Sequence, residues 1–117
     1  MSFEASIFSL LSPLVGGRCY PDMARDLTTL PLLVYQEVGG SVVEFLDQTI
    51  GNLENARLQV IVWSRTRLEA DAIIRQVRAA IIGSTMPATT LAAPTWLADE
   101  PLKLRGARQD FSIWYTP

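Results

Sequence analysis

The stretch ARLQVIVWSRTRLEADAIIRQVRAAIIG, residues 56–83, decides the fold. Its first nine residues, 56–64, are rich in β-branched and aromatic side chains and predict the strongest strand of the chain. Val60, Ile61 and Val62 are consecutive, which predicts a strand covered on both faces. After Ser64 the period changes. Ala70, Ile73, Ile74, Val77 and Ile81 recur at helical spacing and form one apolar stripe, while Arg67, Asp71, Arg75 and Arg78 fall on the outward side. Thr66 and Glu69, three apart, read as a capping box, Asp71 and Arg75 as a supporting pair one turn apart, and Gly83 as the stop. A strand feeding an amphipathic helix needs a sheet for that helix to cover.

Upstream, LLVYQEV (32–38) starts after Pro31, an allowed place for proline at a strand entrance, and predicts a second strand. Gly39-Gly40 reads as a hairpin with SVVEFL (41–46) as the return strand, and DQTIGNLEN (47–55) as a polar turn region. Residues 18–31 predict a short strand around Cys19-Tyr20 and then a long loop. At the start, Ser2 caps a helix with apolar positions Phe3, Ile7, Leu10, Leu11 and Leu14, ended by Pro13 and Gly16-Gly17.

Downstream, residues 84–101 read as a loop with a short strand near Leu91 or Trp96. LKLRGARQDFSIWY (102–115) reads as a hairpin or bulged pair broken near Gly106. In its last part Gln109, Phe111, Ile113 and Tyr115 share one side, and Asp110, Ser112 and Trp114 the other. This final strand is expected to pair beside 56–64. The order of helix, strands, helix, strands predicts an α+β fold: a mainly antiparallel sheet with two helices packed on one face, as one domain over 1–117.

Composition narrows the function. The chain has 117 residues, enough for one core-bearing domain, with 49% hydrophobic and 19% charged residues, which argues against disorder. The net charge of −2 attracts no nucleic acid. Without histidine the chain lacks the usual general base, imidazole metal ligand and pH switch. Cys19 is the one cysteine, so no internal disulfide or thiolate cage forms, and a reducing cytoplasm fits. FEASIFSLLSPLVGG lacks the basic start of a signal peptide, carries Glu4 and is interrupted by Pro13; the expectation is a soluble, unexported protein with no membrane contact.

Sites of reaction are not visible. Gly16-Gly17 and Gly39-Gly40 lack the spacing and the lysine of a phosphate loop, and Ser9, Ser12 and Ser64 have no histidine to activate them. Asp99-Glu100 diverge in extended chain and read as a solvated loop before a cation site. No cofactor or metal is expected. The aromatic residues read mainly as core. Trp114 differs: with Phe111 and Ile113 turned to the helices it points away, either as a contact anchor or as a half-exposed ring. Nine of the ten basic residues are Arg, a bias that interface pairing or genomic base composition both produce.

Taken together, the segments resemble a known family. The YP after the first helix (20–21), PLLVYQEVGG (31–40), NARLQVIVWSRTRLEADAIIRQVRAAI (55–81) and the closing RQDFSIWY (108–115) look like the small tail-completion proteins of tailed phages and prophages, the domain-of-unknown-function group DUF3168. The loop before the PLLVYQ strand, DMARDLTT, departs from the family's proline-centred loop. The resemblance implies a structural neck protein that works without catalysis. It implies a homo-oligomeric ring, typically six-fold, that stops tail-tube polymerisation, contacts the tail tube protein and the head–tail connector proteins, and resides in the virion after assembly in the host cytoplasm.

Ring contacts are heterologous and favour exposed edges and loops, here 21–31, 47–55 and 84–106. Arg57, Arg105 and Arg108 are then candidates to pair with acidic residues of adjacent copies, alongside Trp114; the plain alternative for each Arg is a solvated charge. Two other functions stay open on the residues: a non-catalytic cytoplasmic module binding a small molecule or peptide, and an enzyme subunit working through carboxylates alone.

Overall fold

The computed structural model describes residues 2–24, 29–41 and 53–116. The elements are helix α1 (Phe3–Leu11), continued by a 3-10 turn (Ser12–Val15), strands β1 (Cys19–Pro21), β2 (Leu32–Glu37) and β3 (Glu54–Ser64), helix α2 (Arg67–Ile82), and strands β4 (Ala88–Thr90), β5 (Thr95–Asp99) and β6 (Leu104–Tyr115). They form the expected α+β fold. The sheet order is β1-β2-β3-β6-β4, with β5 also on β6. Only β1 and β2 run parallel; the other pairs are antiparallel.

The core forms where the helices meet one face of the sheet. Ile7 and Leu11 of α1 and the whole predicted stripe of α2, Ala70, Ile73, Ile74, Val77 and Ile81, are buried against Leu58, Val60 and Val62 of β3 and Phe111 and Ile113 of β6. Burying each large aliphatic or aromatic side chain contributes about 1.5–3 kcal/mol before conformational entropy is counted. Strand alternation decides which residues take part. Val60 and Val62 are buried, but Ile61 between them is half-buried, so β3 is covered on one face and not on both as the apolar run suggested.

The predicted final pairing is present along its whole length: β3 and β6 pair from Glu54 opposite Tyr115 to Ser64 opposite Arg105. The expected break near Gly106 is absent, and residues 104–115 are one strand. The reason is a close approach. A Cβ on Gly106 would lie 2.8 Å from Cε3 of Trp63, so glycine here admits an indole and does not end the strand.

β2 also has a partner that the sequence reading did not name. Leu32–Glu37 pair with β3, and the ladder runs on, with Val38 N–H donating to Arg57 O at 2.8 Å and Arg57 N–H donating to Gly39 O at 2.7 Å. Gly39 and Gly40 therefore stay alongside residues 55–57. Gly40 has φ 158°, and a Cβ there would fall 2.1 Å from Asn55 O. The return strand assigned to 41–46 lies, beyond Ser41, outside the described residues, as do residues 25–28 and 47–52 of the predicted loops. Residues 84–101, read as a loop with a short strand near Leu91 or Trp96, hold a strand at each place: β4 ends beside Leu91 and β5 contains Trp96, both laid along the outer edge of β6.

Both helix starts are capped as expected. Ser2 Oγ accepts from Ala5 N–H at 3.1 Å and Thr66 Oγ1 from Glu69 N–H at 3.2 Å. The reciprocal half of the box is rerouted. Ser64 Oγ donates to the Glu69 carboxylate and accepts from Thr66 N–H. This relay satisfies the hydroxyl of Ser64, which is fully buried. Gly83 ends α2 in right-handed geometry, φ −83°, and needs no left-handed turn.

Candidate functional site

Two surfaces frame the site. The first is the sheet face away from the helices. By register it carries Arg57, Gln59, Ile61 and Trp63 of β3, and Trp114, Ser112, Asp110 and Arg108 of β6. Three of the four sequence-predicted contact residues thus share it. Trp114 does turn away from the helices and is half-buried. Arg57 donates through Nε and Nη2 to a single oxygen of Asp110, at 3.1 and 2.9 Å. Arg108 is exposed opposite Ile61. Arg105 stands apart, opposite Ser64 on the other face, where its Nη1 lies 3.3 Å from a Glu100 oxygen. Arg57 and Arg105 therefore already hold acidic partners in their own chain.

The second surface was not visible in the sequence. The outward side of α2 and the edge made by β4 and β5 enclose an open groove. Arg75, Arg78, Thr89 and Thr90 line a section of about 820 Å³, which continues past Pro94 and Gln109 to Arg67, Leu68 and Trp96. Gln109 is buried and donates from Nε2 to Ala92 O at 2.9 Å, fixing the connection between β4 and β5. At the far end the Arg67 guanidinium stands 4.6 Å from the centre of the Trp96 ring, beside Leu68, which is 81% exposed. Asp71 pairs with Arg75 at 3.0 Å, as the spacing predicted. The Arg stripe was legible, but it reads as a solvated face until β4 and β5 supply a wall.

At the Glu54–Tyr115 end of the β3–β6 ladder, beside α1, the charge is negative. Phe3 stacks on Tyr115 with ring centres 4.4 Å apart, and Tyr115 Oη donates to Glu54 at 3.0 Å. Burial first, then this bond to Glu54, pushes the Tyr115 phenol up to about 12. Burial, then nearby negative groups including Glu4 and Asp22, raises Tyr35. Cys19 is buried and its thiol is pushed up to about 12 by that burial, which leaves it no thiolate character near neutral pH. Among the described residues no group of three or more Asp, Glu or Cys side chains could hold a metal ion, and no helix is long and apolar enough to cross a membrane.

The fold and these surfaces define a small α+β domain with one helix-covered sheet face, one face without a helix among the described residues, and a charged groove along its edge. The chain belongs to the family described as tail completion protein gp17, whose model matches residues 7–116. That is the tail-completion resemblance read from the sequence; the match carries the gp17 description and not the DUF3168 label. The fold is similar to a chain in the virion of a native gene transfer agent particle, with TM-score 0.64 and 17% identity over 99% of this chain and 96% of that one. It is also similar to the bacteriophage SPP1 gp17 protein, with TM-score 0.56 and 18% identity over 97% of this chain and 88% of that one. No curated protein matches the chain.

Proposed function

We propose that this chain, as a single tail-completion domain over residues 1–117, is a structural component of a phage or prophage particle that closes the tail tube and joins tail to head. It acts by assembly, as a ring of copies, six in the reading the family suggests, touching the tail tube protein on one side and head–tail connector proteins on the other. No bond is made or broken. The observation that carries this is the family match across residues 7–116. The similar fold of a chain in a gene transfer agent virion supports a place in the particle.

The surfaces suit this role. The sheet face away from the helices and the sheet edges offer area for contact, and Trp114, Arg57, Arg105 and Arg108 are the contact residues carried forward, with Asp110 and Glu100 as the groups the two paired arginines would release or share. Gold-labelled antibody on purified particles tests the placement. Label at the head–tail junction is expected. Label absent from particles, or spread along the tube, contradicts it and favours a cytoplasmic binding module using the groove.

A further inference from the structure

The groove and the α1–β2 side of the sheet carry opposite charge; Asp99 at the end of β5 and Glu100, paired with Arg105, lie outside the groove lining. On the β4–β5 side, Arg67, Arg75 and Arg78 line the groove with Asp71 as the sole acidic side chain among its lining residues. On the α1–β2 side, Glu4, Asp22 and Glu37 are all exposed. Glu4 follows Phe3, which sits on Tyr115; Asp22 N–H donates to Tyr35 O; and Glu37 stands opposite Leu58. Among the described residues between 2 and 41, the basic side chain is Arg18, just before β1, whose Nε donates to Pro31 O at 2.7 Å.

We infer that the arginine groove between α2 and β4–β5 receives the acidic α1–β2 side of a second copy of this chain. The geometry favours a copy over another occupant for two reasons. The complementary surface is present on the same molecule, and its Asp22 and Glu37 lie across the sheet from β4, so the contact is head-to-tail and leaves a free groove and a free acidic side at the two ends. The backbone edge of β4, paired among the described residues with β6 on one side, adds hydrogen-bonding groups at the groove floor. Arg67 on Trp96 and the exposed Leu68 supply an apolar end that gains on being covered. The inference rests on the assembly reading above and deepens it by naming which surfaces meet.

Charge reversal tests it by sedimentation over a concentration series at low and high salt. Arg75→Glu/Arg78→Glu alters the groove and Glu4→Arg/Glu37→Arg alters the acidic side; all four positions are exposed, and thermal melts confirm that both variants fold. Each variant alone is expected to raise the concentration needed for association by about tenfold or more. Mixing the two restores association, because the reversed groove now meets the reversed side and the unaltered pair meets as before. The chain carrying all four changes also associates. Wild-type association is expected to weaken as ionic strength rises from about 0.05 M to about 0.5 M.

Variants that associate like the wild type, or a mixture that fails to recover, overturn the inference while the assembly role stands on the particle label. A wild-type chain that stays monomeric throughout overturns self-docking. Loss of label from the head–tail junction is a separate failure, that of the proposed function.

Discussion

The indole of Trp63 lies across Gly106 on the neighbouring strand, so close that a methyl group there would meet Cε3 at 2.8 Å and Cζ3 at 2.9 Å. The contact joins the two longest strands at the point where Leu97 of β5 pairs with Gly106 from the other side.

Gly106→Ala is therefore expected to destabilise the chain by about 1–3 kcal/mol, the usual cost of overpacking. Trp63→Leu in the same background should recover part of that loss. Urea unfolding of both single variants and the double variant gives the coupling. Additive losses would contradict the packing account.

This contact also shows where sequence reading stops. Gly106 looks like a breaker when read with its neighbours; its role depends on a ring from a distant strand. The α2 helix was legible because stripe, cap and stop agree within one segment, and β3 because its side chains favour strand so strongly. Ala88–Thr90 and Thr95–Asp99 are short and weakly patterned, so a strand was legible only as near Leu91 or Trp96, and its pairing with β6 was not. With them the arginine groove stayed hidden, since Arg67, Arg75 and Arg78 have a wall only once that edge exists. The pairing of β2 with β3 was not read for a related reason: Gly39-Gly40 shows only local turn chemistry, whereas the backbone of Val38 and Gly39 is bonded to Arg57, far along the chain.

At the start of α2, Ser64, Thr66 and Glu69 form a relay between β3 and the helix. Thr66→Ala should cost about 1 kcal/mol through the lost cap. Ser64→Ala removes a buried hydroxyl that both accepts and donates, leaving Thr66 N–H without its Oγ partner, and is expected to cost about 1–3 kcal/mol. Chemical denaturation measures both, and a Ser64→Ala variant as stable as wild type would contradict the relay.

Alkaline pH should unfold the chain by a defined route. Cys19 and Tyr115 have ordinary values of 9.0 and 10.0 and are both held up to about 12 in the fold. Raised values mean that the folded state keeps protons that the unfolded state releases. Their contribution is thus complete below about pH 9 and is lost as pH rises from 9 toward 12. The urea midpoint should fall through that window, and Tyr115→Phe, which cannot ionise, should flatten the upper part. At pH 8 an aromatic disulfide reagent should leave Cys19 untouched in the native chain and modify it in urea. Rapid native labelling would contradict its burial.

The central claim is that this chain completes a tail by assembly alone. Electron microscopy of particles made without its gene, and with the gene supplied in trans, tests this most directly. Overlong tails, or tails detached from filled heads, are expected without it, with normal particles restored by the supplied copy. Particles of normal tail length with heads attached in its absence would contradict the account.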